Sequence, residues 1–373
     1  MAISPKDIDL AASASSLGEV LDSLSSFKPR TLQIVGTPKV MQTCGNGVVT
    51  GYYGGNVVFV SMYPELTGYC LERSDSFIVQ ITSLAVSKSG QICLTGAYDG
   101  KVRMWSLTEK KELATFEGHS KDITALVITH NDLLGISASS DRFLKVWDLQ
   151  QRKETFTLDC NNIPVLCLEL SANSKYLYSG DLNSEIKVWD LEERKEIATL
   201  TGHVQGVLCL AMSQDEKLMW SGSYDCTIRV WDLINRKEIA VFTEKTKILR
   251  IRLIKNGHMG LSLTRAKEIN LWNLATTQPT LTLTGHTDII NDLTIFNCEK
   301  FCLTSAVDKS IRMWDLETGE EVMAFPGENS LDDGLKLTED NLHVISTIST
   351  GVLGIWSLER KKVPRVIEEL LGK

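Results

Sequence analysis

His119, Ser137 and Asp141 are the residue types that, brought together, make a hydroxyl nucleophile, its general base and the carboxylate that orients the base. The same set recurs as His203, Ser221 and Asp225, and with threonine as His286, Thr304 and Asp308. The recurrence argues against catalysis. A hydrolase needs one nucleophile on an exposed, strained site, whereas three equivalent sets stand here in regular register, each followed by a tryptophan: Trp147, Trp231 and Trp314. The remaining histidines, His130, His258 and His343, have no Cys, Asp or Glu at ligand spacing, so no metal site is expected. No GxxxxGK[ST] and no helix-opening GxGxxG is present, so nothing cradles a phosphate and no cofactor is expected. The nine cysteines are odd in number, form no CxxC pair and sit mostly in apolar runs, which predicts buried thiols in a reduced compartment.

The elements that carry these residues follow from a repeat. Trp105, Trp147, Trp189, Trp231, Trp272, Trp314 and Trp356 are separated by 42, 42, 42, 41, 42 and 42 residues, and only Trp220 lies off this grid. Ten positions before each stands a hydroxyl residue: Thr95, Ser137, Ser179, Ser221, Ser262, Thr304 and Ser346. Eleven positions before is apolar or aromatic, and the positions one and three before are apolar, as in Val102/Met104 and Ile228/Val230. Such period-two runs between Gly, Asn, Asp and Ser turns predict short antiparallel strands and an all-β chain.

The dipeptides Trp147-Asp148, Trp189-Asp190, Trp231-Asp232 and Trp314-Asp315, with Gly118-His119, Gly202-His203 and Gly285-His286, resemble the WD-repeat (WD40) β-propeller family. Such repeats run about 40–45 residues and supply four strands per blade. The resemblance covers roughly residues 31–367 and implies a single closed propeller. It also implies that His, Ser/Thr, Asp and Trp form a buried structural tetrad: His119, Ser137, Asp141, Trp147; His203, Ser221, Asp225, Trp231; and His286, Thr304, Asp308, Trp314. Other units depart from the pattern. Phe77 and Glu328 stand at His positions, while Asn183, Ala266 and Thr350 stand at Asp positions, and these blades are expected to rely on apolar packing.

Val49–Val60 matches Leu94–Trp105 with Val60 at the Trp position, which predicts a degenerate eighth unit, also departing from the pattern in strand order. Eight blades is therefore the reading, with seven the alternative. Thr31–Val35 is expected to pair into the last blade and close the ring, in competition with Lys362–Ile367. The domain division is 1–30 as a Ser-rich extension, 31–367 as the propeller and 368–373 as a tail. In the extension, Ile3, Leu10, Leu17 and Leu24 recur every seven residues, so it is either an amphipathic helix that docks on the propeller or meets a partner helix, or a disordered Ser-rich arm.

With no catalytic constellation, the chain is expected not to be an enzyme and to offer surfaces to other proteins. In the family the residue just before the turn Asp reaches the narrow top face. Among the residues seven positions before a repeat Trp, or before Val60 in the first unit, Tyr53, Tyr98, Tyr224 and Arg265 are the candidate partner-binding residues, because tyrosine and arginine dominate interface hot spots. The turns Gln151-Arg152-Lys153-Glu154, Glu193-Arg194-Lys195-Glu196 and Asn235-Arg236-Lys237-Glu238 read as a solvated rim. A net charge of −8 argues against nucleic-acid binding, which needs clustered cations. No stretch has the roughly 18 apolar residues of a membrane span. A cytoplasmic scaffold or adaptor is the expectation, with a G-protein β-like subunit or a ubiquitin-ligase substrate receptor as alternatives. The receptor signature Trp-Asp-x-Arg is absent, since Gln150, Glu192, Ile234 and Glu317 occupy the Arg position.

Overall fold

The computed structural model describes residues 30–33, 38–45, 47–61, 67–71, 79–276, 278–326, 334–349 and 352–358. Among the described residues, strands of three to seven residues assemble into eight four-stranded antiparallel sheets. Seven of the sheets use strands in chain order from the inner edge outward, as in Ile123–Ile128, Leu134–Ser139, Phe143–Asp148 and Lys153–Asp159 of the third blade. The inner strands of neighbouring blades approach one another, and Pro38–Cys44 of blade 1 meets Leu335–Leu337 of blade 8, so the sheets close into a ring.

Blade 8 is completed from the other end of the chain. Arg30–Gln33 pairs antiparallel with its third strand, with Arg30 opposite Ile355 and Gln33 opposite Val352. The closing strand expected at Thr31–Val35 is thus present, one residue earlier than read. Blade 1 (Pro38–Cys44, Gly47–Tyr52, Val57–Ser61, Thr67–Cys70) has the same strand order as the others. The expected departure in strand order does not occur, because Thr50 and Val60 hold the register that the hydroxyl and Trp hold elsewhere. The expectations for the N-terminal extension, Phe77, Glu328, Thr350, Lys362–Ile367 and the tail fall outside the described residues.

The core lies between blades. Alternate side chains of each sheet face the next sheet, so Trp147 of blade 3 packs with Leu94, Met104 and Phe116 of blade 2. Trp220, off the tryptophan grid, does the same between blades 5 and 6: it stacks on Phe242 and donates its indole N–H to the Gly257 carbonyl at 2.9 Å. At about 25 cal/mol per Å² of apolar surface removed from water, these inter-blade layers are the main stabilising term. None of the nine cysteines is in a disulfide; Cys44, Cys93, Cys160 and Cys302 are buried and Cys70 is exposed. Burial pushes the Cys160 and Cys209 thiols up to about 12.

One end of the ring is tied by its inner hairpin turns. Asp132, Ser174, Glu216, Asn256, Glu299 and Asn341 all have left-handed backbone, with φ between 52° and 58°. Each accepts a hydrogen bond from the turn of the preceding blade: Lys88 N to Asp132 at 2.9 Å, His130 N to Ser174 at 2.9 Å, Ala172 N to Glu216, Asp215 N to Asn256 at 3.1 Å, Lys255 N to Glu299 at 2.7 Å and Asn297 N to Asn341 at 3.3 Å. In blades 1 and 2 this turn position is held by glycine, Gly45 and Gly90, which has no side chain to offer.

Candidate functional site: the loop-bearing face

At the opposite end of the ring, the turns between second and third strands meet the loops that enter each blade. The candidate triads come together here. His119 Nδ1 lies 2.8 Å from Asp141 and its Nε2 lies 2.8 Å from Ser137. The second set has 2.9 Å to Asp225 and 2.8 Å to Ser221, and the third 2.8 Å to Asp308 and 2.7 Å to Thr304. Each hydroxyl also accepts an indole N–H, from Trp147, Trp231 and Trp314, at 2.8 Å. Because an indole can only donate, the hydroxyl hydrogen is free for Nε2, which leaves Nδ1–H to donate to the carboxylate. The carboxylate oxygen that accepts from the imidazole, Oδ2, also accepts a loop backbone N–H, from Ser120, Val204 and Thr287 at 2.9–3.0 Å.

Burial sets the charge state of these groups. It pushes the His119, His203 and His286 pKa below the usual value, against the upward pull of the aspartates. Burial alone would raise the aspartates, but the hydroxyl, backbone and imidazole donors outweigh it and hold Asp225 and Asp308 at about 2. The result is a neutral imidazole against an ionised carboxylate. Ser137, Ser221 and Thr304 have no exposed surface, so no hydroxyl of the three sets is open to a substrate.

Blade 6 departs from what the missing Asp suggested. Glu244 stands at the His position, 28 residues before Trp272; it accepts the Ser262 hydroxyl at 2.5 Å and both oxygens accept Asn270 Nδ2 at 3.0 Å. Ser262 in turn accepts the Trp272 indole at 2.9 Å. This blade is not held by apolar packing alone; a carboxylate–amide pair replaces the imidazole–carboxylate pair. In blade 4, Asp181 ties its own turn by accepting Asn183 N and Glu185 N at 2.9 Å.

The four partner candidates are placed on one rim. Tyr53, Tyr98 and Tyr224 are 40%, 58% and 37% exposed, and Arg265 is exposed. Their position explains this. The backbone N–H of Tyr98 donates to Gln80 O and that of Tyr224 to Gly206 O, both at 3.0 Å, which clamps the loop beneath and leaves the side chain outside. Leu182 and Val307, at the same position in blades 4 and 7, are likewise exposed. Lys39 lies 5.6 Å from the Tyr53 ring and Lys247 lies 4.9 Å from the Tyr224 ring, so two of the three rings carry a cation over one face.

A second charged group escaped the sequence reading. Asp292, buried on the inner strand of blade 7, accepts Arg250 Nη1 of blade 6 at 3.0 Å and Lys336 Nζ of blade 8 at 3.1 Å. Desolvation would raise its carboxyl, but Lys336 and Arg250 hold it at about 2. Desolvation lowers the Lys336 amine to about 8. The cluster joins three inner strands, and the corresponding residues of blades 2 and 3, Ser83 and Ala125, are small. Among the described residues no cluster of His, Cys, Asp or Glu could hold a metal ion, and no helix is long and apolar enough to cross a membrane.

Eight radial four-stranded sheets with a closing strand from the opposite end of the chain define an eight-bladed β-propeller. The chain belongs to the WD40 family (WD domain, G-beta repeat), whose model matches residues 71–106, 110–148, 152–190, 194–232 and 277–315, just over half of the sequence. Among curated proteins, it is 27% identical over 104 residues to the small ribosomal subunit protein RACK1 of Caenorhabditis elegans, 28% of this chain and 30% of that protein. It is 32% identical over 77 residues to MST50-interacting protein 11 of Pyricularia oryzae, 19% of this chain and 24% of that one. It is 34% identical over 76 residues to cross-pathway control WD-repeat protein 2 of Flammulina velutipes, 19% of this chain and 24% of that one. The match thus spans less than a third of each relative. The crystal structure of the computationally designed Ika8 protein is similar in fold, with a TM-score of 0.74 at 24% identity over 88% of this chain and 98% of that one.

Proposed function

We propose that the protein is a non-enzymatic scaffold that binds other proteins on its loop-bearing face, through Tyr53, Tyr98, Tyr224 and Arg265. The single observation that carries this reading is the rim itself: one repeated backbone position presents tyrosine, leucine, valine or arginine outward in six of eight blades, and at Tyr98, Leu182, Tyr224 and Val307 its N–H is clamped to the loop beneath. Partly exposed tyrosines on a rigid frame lose little entropy on binding, which suits them as anchors. The histidine tetrads serve as the frame, because their hydroxyls are buried and fully occupied. The cytoplasm is the proposed setting, since nine free thiols fit a reducing compartment. Similarity to RACK1 and to an MST50-interacting protein agrees with an interaction role.

The test compares partners captured from native extract by the wild-type chain and by a Tyr53→Ala/Tyr98→Ala/Tyr224→Ala variant with unchanged thermal midpoint. Loss of the principal partners is expected. Retention of every partner by the folded variant removes this face from the function.

A further inference from the structure

Arg252 stands on the inner strand of blade 6 (Ile248–Ile254), where the corresponding residues of blades 2, 3 and 5 are Ala85, Val127 and Ala211. Its side chain is exposed, yet burial and the neighbouring Arg250 lower its guanidinium pKa. A group both accessible and desolvated points into an enclosed space rather than into bulk water. Among the described residues it makes no hydrogen bond and no ion pair. The aspartate whose field it feels cannot supply one. Asp292 Oδ1 already accepts Arg250 Nη1 at 3.0 Å and Leu293 N at 2.9 Å, and its Oδ2 accepts Lys336 Nζ and Leu335 N, each at 3.1 Å. Three cations surround one saturated carboxylate, and Arg252 is the one left over.

Glu169, on the inner strand of blade 4 (Val165–Leu170), feels Arg252 across blade 5. Side chains of non-adjacent blades meet only around the ring axis, so the two face one another through the central channel, too far apart to form an ion pair. Between them, at the end tied by the inner hairpin turns, lies a cavity of about 210 Å³ lined also by Ala211, Ser213, Asn256 and Glu299. Glu299 is already engaged, accepting Lys255 N at 2.7 Å. The cavity therefore sets a fork of unpaired donors opposite one carboxyl group. Burial pushes that Glu169 carboxyl up to about 7, against the pull of the Met212 N–H and Arg252. The volume is below the roughly 300–1,000 Å³ of pockets that take drug-sized ligands, so the occupant has few heavy atoms.

We propose that this cavity binds hydrogen phosphate. Its occupant has to accept from Arg252 and donate to Glu169, and hydrogen phosphate does both. Its unprotonated oxygens take the paired N–H groups of the guanidinium, and its remaining P–O–H donates to the Glu169 carboxylate. Sulfate, a carboxylate and a phosphate monoester carry no proton at pH 8, so each sets a bare oxygen against an ionised Glu169. Arg250 and Lys336, paired with the single Asp292, keep the surrounding field favourable to an anion. The cavity lies at the opposite end of the ring from the tyrosine rim, so it stands or falls independently of partner binding there.

The test is calorimetric titration of the full-length protein with inorganic phosphate, sulfate and glycerol phosphate at pH 8, above the Glu169 value of about 7. Saturable heat is expected with phosphate. Sulfate and glycerol phosphate are expected to bind about tenfold more weakly or worse, because a charge-assisted hydrogen bond is lost and a repulsion takes its place. Arg252→Met removes an accessible side chain that bonds to nothing, so the variant should keep its thermal midpoint and lose the phosphate response. Glu169→Gln, whose amide can donate, should accept sulfate as well as phosphate. Absence of saturable heat with phosphate overturns the proposal, as does equal affinity for the three anions. So does a phosphate response unchanged in Arg252→Met, or a Glu169→Gln protein that still rejects sulfate. The three-anion comparison is made on the wild-type chain and decides the matter even where a variant fails to fold.

Discussion

His203 shows how much one side chain can hold. It bridges Ser221 on a strand and Asp225 in a turn, and Asp225 in turn holds the loop at Val204 N. Removing the ring leaves buried polar atoms with one partner fewer, a loss of about 1–3 kcal/mol. We expect His203→Ala to lower the midpoint of thermal unfolding while leaving partner binding at the tyrosine rim intact; an unchanged midpoint would contradict the framing role. The same residues set a pH dependence. The folded-state imidazoles titrate below the ordinary value of 6.5, so as pH falls through that value the unfolded chain takes up protons that the folded chain does not. Stability therefore falls on acidification below about pH 6.5, and it falls again between about 4 and 2 as Asp225 and Asp308, depressed from 3.8 to about 2, are protonated. Denaturant midpoints measured from pH 7 to pH 5 should decline less steeply in a variant with all three histidines replaced by glutamine.

Blade 6 illustrates what an element keeps when its signature is lost. Glu244 sits in the same register as the histidines, so the sequence carried the signal, but a search for histidine and aspartate passed over it. We expect Glu244→Ala to lower the thermal midpoint because Ser262 and Asn270 both lose their acceptor, and Glu244→His/Ala266→Asp to recover most of that loss by rebuilding the usual tetrad. Strand positions were legible because tryptophan, hydroxyl and period-two alternation are local. The arginine turns were not. Read along the chain, each Arg152-Lys153-Glu154 looks self-neutralising; in space Glu154 pairs with Lys145 at 2.8 Å and Arg152 reaches the neighbouring blade. The closing strand is a further element whose loss can be measured. Leu32 of this strand packs against the core shared by blades 8 and 1, so Leu32→Ala should unfold at a lower temperature than wild type.

Across the whole molecule the blades are not equally secured. Blade 1 has no tryptophan or histidine of the pattern, and glycines take the left-handed turn position on both sides of its joint with blade 2. The Thr50 hydroxyl and the Tyr52 hydroxyl are buried with no hydrogen-bond partner among the described residues. Its polar ties to the neighbouring blades include isolated bonds: Cys44 Sγ to Gly90 O at 3.3 Å, Val86 N to Gln42 at 3.2 Å and Gly45 N to Glu339 at 3.3 Å. Hydrogen exchange should therefore release the amides of Pro38–Ser61 before those of Ile123–Asp159. Uniform protection around the ring would show that apolar packing alone equalises the blades.

The pairing of Arg30–Gln33 with Val352–Ile355 also has a meaning in time. About 320 residues of synthesis separate the first of these strands from its partner, at about 5–20 residues per second. For tens of seconds the nascent chain displays an unsatisfied strand at each end of a growing arc, open to chaperones and to foreign strands. A message cut short before codon 352 yields a product that can never lose those edges. The clasp thus separates a closed ring from an open one by the strand edges it covers.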